Sequence, residues 1–470
     1  MRSIFTLVLL TISILSSAQK YKIEFKIDGL SDTTVYLGNF FGESTYVKDT
    51  ARVNKKGECI FDGNKELEEG NYFLVLNKTR LFDFLVGEDK FFKLTTSTED
   101  YLENLKVEGD IENKIFIEDM KFNAERNKEA RPYVEIIQDS LKSDEEIAAA
   151  RAGLDKINEK VVAHQDEIIS QHPDLLISRI FKANKRIDIP ETPEGEDESE
   201  FGYKYMKAHY WDNFDLGDPA MLRMSRPIYK EKVENYFNRM ILPQPDSVLK
   251  EVDRLAILSK KTQDTYKYFI WKVTLLYQNP TIMGLDEVFV KLVDKYFETG
   301  EMDFWANAQL KKNLKERADQ LRLSLIGKTA PNMIMMDKNK QMKSMYALPN
   351  KYTVIYFFDP DCGHCKKETP KLVNFYNTTK YDVGVFAVSA DTSMVKMTDY
   401  INKMKMPWTT VNGPRTSTGS YHNSYDANTT PTLYVLDEKK KIIAKKIPAE
   451  RLEDFLTQYE KFHNNSENEQ

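Results

Sequence analysis

Just past residue 20 the chain begins to alternate. "YKIEFKIDG", from Tyr21 to Gly29, sets apolar and polar side chains at period two, and "ECIFDG" at 58–63 does the same. That spacing predicts half-buried strands. "NYFLVLN" and "FFKLTT" are rich in aromatic and aliphatic residues, and the turn pairs Asp28-Gly29, Lys56-Gly57, Asp62-Gly63 and Gly70-Asn71 fall between the runs. Short strands at this spacing predict an all-β, sandwich-like domain over residues 19–108.

The period then lengthens. Ile147, Leu154, Ile157, Val161 and Ile168 recur at helical spacing, behind a capping-box pair at Ser143 and Glu146. "DSVLKEVDRLAILSK", "QDTYKYFIWKVTLLYQ" and "LDEVFVKLVDKYFETG" continue the helical pattern, so residues 109–325 read as a helical domain. "ETPEGEDESEFG" at 191–202 is acidic and without apolar periodicity, which predicts an exposed loop.

From residue 326 strands and helices alternate, the pattern of an α/β sheet covered on both faces. "KYTVIYFFD" and "DVGVFAVSA" are unbroken apolar runs, as buried parallel strands should be. A helix follows the first of them from Gly363, and another spans "SMVKMTDYINKMK". "TLYVLDEKKKIIAKKI" reads as strand, turn, strand, and "PAERLEDFLTQYEKF" as a closing helix with Pro448 at its start. This domain is expected over 326–463, with a disordered tail at 464–470.

One further apolar run stands apart. Ile4 to Leu15 follows a single basic residue, Arg2, and leads to Ser16-Ser17-Ala18, the layout of a signal peptide (1–18) cleaved after Ala18. No cysteine follows that site, so no lipid anchor is expected, and no later run is long enough for a transmembrane helix in the mature chain. The expected location is the periplasm or cell envelope. At 41% hydrophobic and 30% charged residues the chain is an ordinary soluble protein, and its net charge of −6 argues against a nucleic-acid partner.

Export changes how the cysteines read. Oxidising compartments favour structural disulfides, yet three cysteines cannot build a framework of them. Two sit together, Cys362 and Cys365, separated by Gly363 and His364, where a buried strand gives way to a helix. Unpaired N–H groups and the helix dipole favour a thiolate at such a start. Cys365 lies one turn on and can reach back to resolve a mixed disulfide. A protonated His364 would stabilise the Cys362 thiolate, while Asp361 opposes it. A structural disulfide over so short a loop gains little. Zinc needs two more ligands. Haem attachment needs histidine directly after the second cysteine, where this chain has Lys366. A redox dithiol without metal or cofactor is the expected chemistry.

The segment "DCGHCKKETP" resembles the C-x-x-C-x-x-E-x-P site of TlpA/ResA-like thiol–disulfide oxidoreductases, which are typically exported. "GKTAPNM" is similar to that family's G-x-x-A-P-x-F opening, with Met333 at the aromatic position. "TTPTLYVLD" resembles its T-P-T strand, in which Pro431 would be the cis-proline opposite the cysteines, preceded by Thr430. The resemblance covers 326 to about 463 and implies a thioredoxin-like fold, Cys362 as attacking thiol, Cys365 as resolving thiol and Glu368 as a buried acid for proton transfer. Gly363, His364, Thr430 and Pro431 would bind substrate or tune the pair. Asp361 stands where the family commonly has Trp, and the Gly-His dipeptide is that of disulfide isomerases. The upstream regions resemble uncharacterised β and helical domains fused ahead of such modules in exported bacterial proteins.

The expected function is an exported oxidoreductase acting on protein thiols and disulfides, with a redox partner the sequence does not identify. Two alternatives stand beside it: a disulfide isomerase, and an envelope binding protein whose upstream domains capture a peptide or glycan. Cys59 is expected half-buried in its strand, His422 in a solvated loop, and Trp408 in core or rim packing.

Overall fold

The computed structural model describes residues 19–468 except 414 and 418, so the signal peptide expected at 1–18 lies outside the described residues. The chain divides into two compact units. One runs to Tyr236 and takes in Ile257–Tyr268; the other holds Phe237–Ala256 and the chain from Phe269 onward. The helical region contributes to both.

The first unit opens with eight strands: β1 (Tyr21–Asp28), β2 (Thr34–Phe41), β3 (Ser44–Arg52), β4 (Glu58–Gly63), β5 (Gly70–Leu76), β6 (Thr79–Val86), β7 (Phe91–Ser97) and β8 (Lys106–Glu108). They form two four-stranded sheets, ordered β4-β1-β7-β8 and β3-β2-β5-β6. Both sheets feed one core: Ile23, Phe25 and Ile27 from the alternating β1 meet Leu37, Tyr72 and Phe84. Cys59 on β4 faces this core and is fully buried rather than half-buried, because its place in the alternation points inward; burial pushes its thiol up to about 12.

Two long helices follow, α1 (Ile111–Gln138) and α2 (Asp144–Gln171), packed together as a hairpin. The Ser143–Glu146 capping box starts α2. Between the helices, Asp119 Oδ1 lies 3.5 Å from His164 Nε2, and Asp119 Oδ2 accepts from Asn123 Nδ2 at 2.9 Å. Helices α3 (Leu176–Asn184) and α4 (Glu198–His209) come next. The acidic stretch 191–202 is a loop only to Asp197. Asp197 then caps α4 by accepting from the Glu200 amide at 2.9 Å, and Glu198 and Glu200 occupy the first turn, where the helix dipole favours acids.

Helices α5 (Ile228–Arg239), α6 (Pro245–Ser259) and α7 (Gln263–Leu276) lead to α8 (Asp286–Leu292) and α9 (Ala308–Arg322). In the second unit the chain then builds a seven-stranded sheet. Its strands are β9 (Ile334–Asp337), β10 (Met342–Ser344), β11 (Tyr352–Phe358), β12 (Val383–Ser389) and β13 (Thr409–Asn412), followed, after the small ribbon β14 (Arg415–Thr416) and β15 (Gly419–Ser420), by β16 (Thr432–Leu436) and β17 (Ile442–Lys445). The order is β10-β9-β13-β12-β11-β16-β17. Strands β11, β12 and β13 run parallel, while β16 is antiparallel to β11.

The unbroken apolar run of β11 is buried on both faces. Tyr352, Val354, Tyr356 and Phe358 pack under α10 (Gly363–Thr378), α11 (Met394–Met404) and α12 (Leu452–Asn468). Ile355 and Phe357 face Met333, Met335, Tyr421 and Tyr425 on the other side. Met333 fills the position of the family's aromatic residue with almost no exposure. The expected tail begins within α12, whose backbone continues to Asn468; residues 469 and 470 lie outside the described residues.

One buried ion pair ties this sheet to the helices of its own unit. Lys445 at the end of β17 bonds the Asp286 carboxylate at the start of α8 and donates to Ser324 O at 3.0 Å. Both charged side chains are over nine-tenths buried.

Candidate active site

Strand β11 ends at Phe358, and a short turn carries the chain into α10. The Asp361 amide donates to Asp359 Oδ1 at 2.8 Å and closes that turn. Cys362 is then the N-cap of α10: its Sγ accepts from the Cys365 amide at 3.4 Å. A serine or aspartate usually fills this position, with an oxygen satisfying an orphan helix amide. Here a sulfur does so, which is the arrangement that favours a thiolate.

The two thiols are in their free form and are unequal. Cys362 is half-buried, while Cys365 is fully buried against β11. Burial acts upward on the Cys362 pKa, but hydrogen bonds from the Cys365 amide and thiol, the Thr430 side chain and the His364 amide outweigh it and hold the thiol below its ordinary value. Burial dominates at Cys365 and pushes it up to about 12, although the Asp359 amide donates to its Sγ at 3.4 Å.

The sheet register brings the second half of the site alongside. Thr432 on β16 pairs with Phe357 on β11, so residues 430 and 431 lie beside the strand end that launches the cysteines. The Thr430–Pro431 bond is cis. Cys362 Sγ donates to Thr430 O at 3.4 Å. Gly363 and His364 are exposed on the first turn of α10. A Cβ built on Gly363 meets nothing within 4 Å, so the space beside the outer thiol is open.

Glu368 is largely buried, one turn beyond Cys365. Its Oε1 accepts from the Ala449 amide at 2.5 Å and its Oε2 lies 3.7 Å from Lys371 Nζ, rather than bonding either thiol. His422 is not a solvated loop residue. It is half-buried on a short 3-10 turn, 4.2 Å from the Tyr421 ring, and burial lowers its pKa. Trp408 packs at the rim of the core, 5.4 Å from the Tyr376 ring.

Sequence reasoning missed four residues near the dithiol. Lys396 on α11 holds the Asp361 carboxylate at 2.7 Å. Under Cys365, the hydroxyls of Tyr356 and Tyr400 converge on that of Thr369, at 2.7 and 2.8 Å. No local motif marks either group, because their members come from three elements far apart in the chain.

Residues 350–442 match the family described as Thioredoxin-like. Residues 21–116 and 150–319 match two families described as domains of unknown function, DUF4369 and DUF5106. The chain is 30% identical over 118 residues to the sporulation thiol-disulfide oxidoreductase A of Bacillus subtilis, covering 23% of this chain and 70% of that protein. It is 31% identical over 91 residues to a thioredoxin-like protein of Haemophilus influenzae, covering 19% of this chain and 52%, about half, of that relative. A solved domain of a "possible thiol-disulfide isomerase" from Cytophaga hutchinsonii is 37% identical, with 30% of this chain and 97% of that one covered and a TM-score of 0.28. With its strand-to-helix dithiol and its match to the Bacillus oxidoreductase, the chain belongs to the thioredoxin-like family of thiol–disulfide oxidoreductases.

Proposed function

We propose that this protein is an exported oxidoreductase that exchanges electrons with protein disulfides through Cys362 and Cys365. The observation that carries the reading is the asymmetry of the thiols: one at a helix cap and open to solvent, the other buried one turn below. The Cys362 thiolate attacks a substrate disulfide, forming a mixed disulfide and releasing one substrate thiolate. Cys365 then gives up its proton and attacks the Cys362 sulfur. The second substrate thiolate leaves, and the protein holds a Cys362–Cys365 disulfide. The substrate gains two electrons and the protein loses two; a partner dithiol returns them.

Thr430 and Pro431 would line the substrate strand beside Cys362, and Glu368 would serve proton transfer at Cys365. His364 would tune the pair. Among the described residues no helix is long and apolar enough to cross a membrane. The upstream β and helical regions would position the dithiol or hold its partners.

Trapping tests the roles. Cys365→Ser should accumulate a mixed disulfide with substrate proteins, and Cys362→Ser almost none. Equal trapping by the two variants would reject the assignment.

A further inference from the structure

The mechanism above leaves one buried group unused. Thr369, Tyr356 and Tyr400 are fully buried beneath Cys365, on α10, β11 and α11 respectively. The Thr369 hydroxyl donates to the Cys365 carbonyl at 2.9 Å. A hydroxyl has one proton, so both phenols must donate to Thr369 Oγ1, at 2.7 Å from Tyr356 and 2.8 Å from Tyr400. Three elements are thus pinned through one oxygen to the peptide of the resolving cysteine. Such a network is costly to bury unless fully satisfied, and this one is.

Its position gives it a task. The resolving step puts a negative charge on Cys365, which is fully buried, where an uncompensated charge is expensive. The Asp359 amide donates to its sulfur at 3.4 Å and the Thr430 side chain also favours its thiolate, yet burial outweighs both. Glu368 bonds the Ala449 amide instead. The two phenols come from β11 and α11, which share one core with Cys365, and reach its peptide through Thr369. Burial, and after it charge on Cys365, pushes both phenols upward, Tyr400 to about 12, so they stay protonated and keep their dipoles at neutral pH.

We propose that the Tyr356–Thr369–Tyr400 hydroxyl cluster positions Cys365 and stabilises its thiolate, and so governs resolution of the mixed disulfide but not its formation. This rests on the dithiol reading above. These are positioning residues, acting through Cys365 rather than on the substrate.

The test uses the reduced full chain with Cys59→Ala throughout and dithiobis(2-nitrobenzoate) as probe. Attack by Cys362 releases one coloured thiolate, and attack by Cys365 on the mixed disulfide releases a second, so the two steps appear as two phases. Tyr400→Phe and Thr369→Val should slow the second phase at least about ten-fold, the size of a lost hydrogen bond near a charge, and leave the first within about two-fold. Thr369→Ser should keep the second phase fast. Tyr400→Phe preserves shape, so the result does not depend on the valine variant folding. Equal slowing of both phases, or no slowing of the second, overturns the proposal. A parent chain that releases a single thiolate overturns the dithiol reading itself.

Discussion

Lys396 Nζ lies 2.7 Å from Asp361 and 3.1 Å from Asp391, so the carboxylate beside the outer thiol does not face it as a bare charge. From sequence, Asp361 opposes a Cys362 thiolate; in the folded protein Lys396 offsets that opposition. Lys396→Met should slow alkylation of Cys362 by iodoacetamide at neutral pH by roughly two-fold, the scale of an exposed ion pair. The difference should close at about 1 M salt, where screening is nearly complete. Equal rates at low salt would show that the pair does not reach the thiol.

His364 is exposed on the first turn of α10, between the thiols. A positive charge at this position would favour the reduced form, so removing the imidazole should make the disulfide harder to reduce. His364→Gln is expected to lower the potential by tens of millivolts, where about 30 mV corresponds to 1.4 kcal/mol. Glutamine is the clean replacement. A proline would also delete the His364 N–H, one of the backbone groups that hold the Cys362 pKa down. Equilibration with glutathione reads the potential, and an unchanged or higher value would remove the tuning role.

Asp119 in the α1–α2 hairpin gives a pH test far from the thiols. Burial raises its pKa from 3.8 to about 6, against the pull of His164 and the Asn123 hydrogen bond. The folded carboxyl therefore holds its proton more tightly than the unfolded one. Its contribution is fully present below 3.8 and is lost as pH rises through about 6. Asp119→Asn, which cannot titrate, should gain on the parent by about 2 kcal/mol between pH 4 and pH 7. Urea unfolding at the two pH values measures this; parallel stabilities would contradict the buried carboxyl.

Lys445 and Asp286 should behave as a buried pair. Lys445→Met alone strands a carboxylate and should cost about 3–5 kcal/mol. Adding Asp286→Leu should restore most or all of the loss, since two apolar groups need no compensation. Thermal unfolding of the single and double variants decides it, and a double variant no better than the single would refute the coupling.

Much of this architecture was legible because it rests on local pattern. The period of β1, the two-sided apolar run of β11 and the Ser143–Glu146 box each declare themselves within a few residues. The dithiol was legible for the same reason, and the T-P-T segment located Pro431 in advance. Strands β9, β10 and β13 were not read. Each spans three or four residues, too few for a period, and pairing with neighbours defines them. The start of α4 was misread because acidity was taken for solvation, although Asp197 followed by Glu198 is also a helix start. Lys396 and the hydroxyl cluster are tertiary facts: nothing local to Tyr356 says that Tyr400 will meet it.

The bond between Asp286 and Lys445 spans 159 positions of sequence. A chain emerges N-terminus first, at roughly 5–20 residues per second, so about 8–30 s of synthesis separate the two charges. Through that interval Asp286 must keep its water, because Lys445, its ion-pair partner, has yet to arrive. The first turn of α8 therefore cannot settle into its final place until β17, the last strand of the sheet, is made. A chain broken off anywhere before Lys445 keeps that helix start wet and loose.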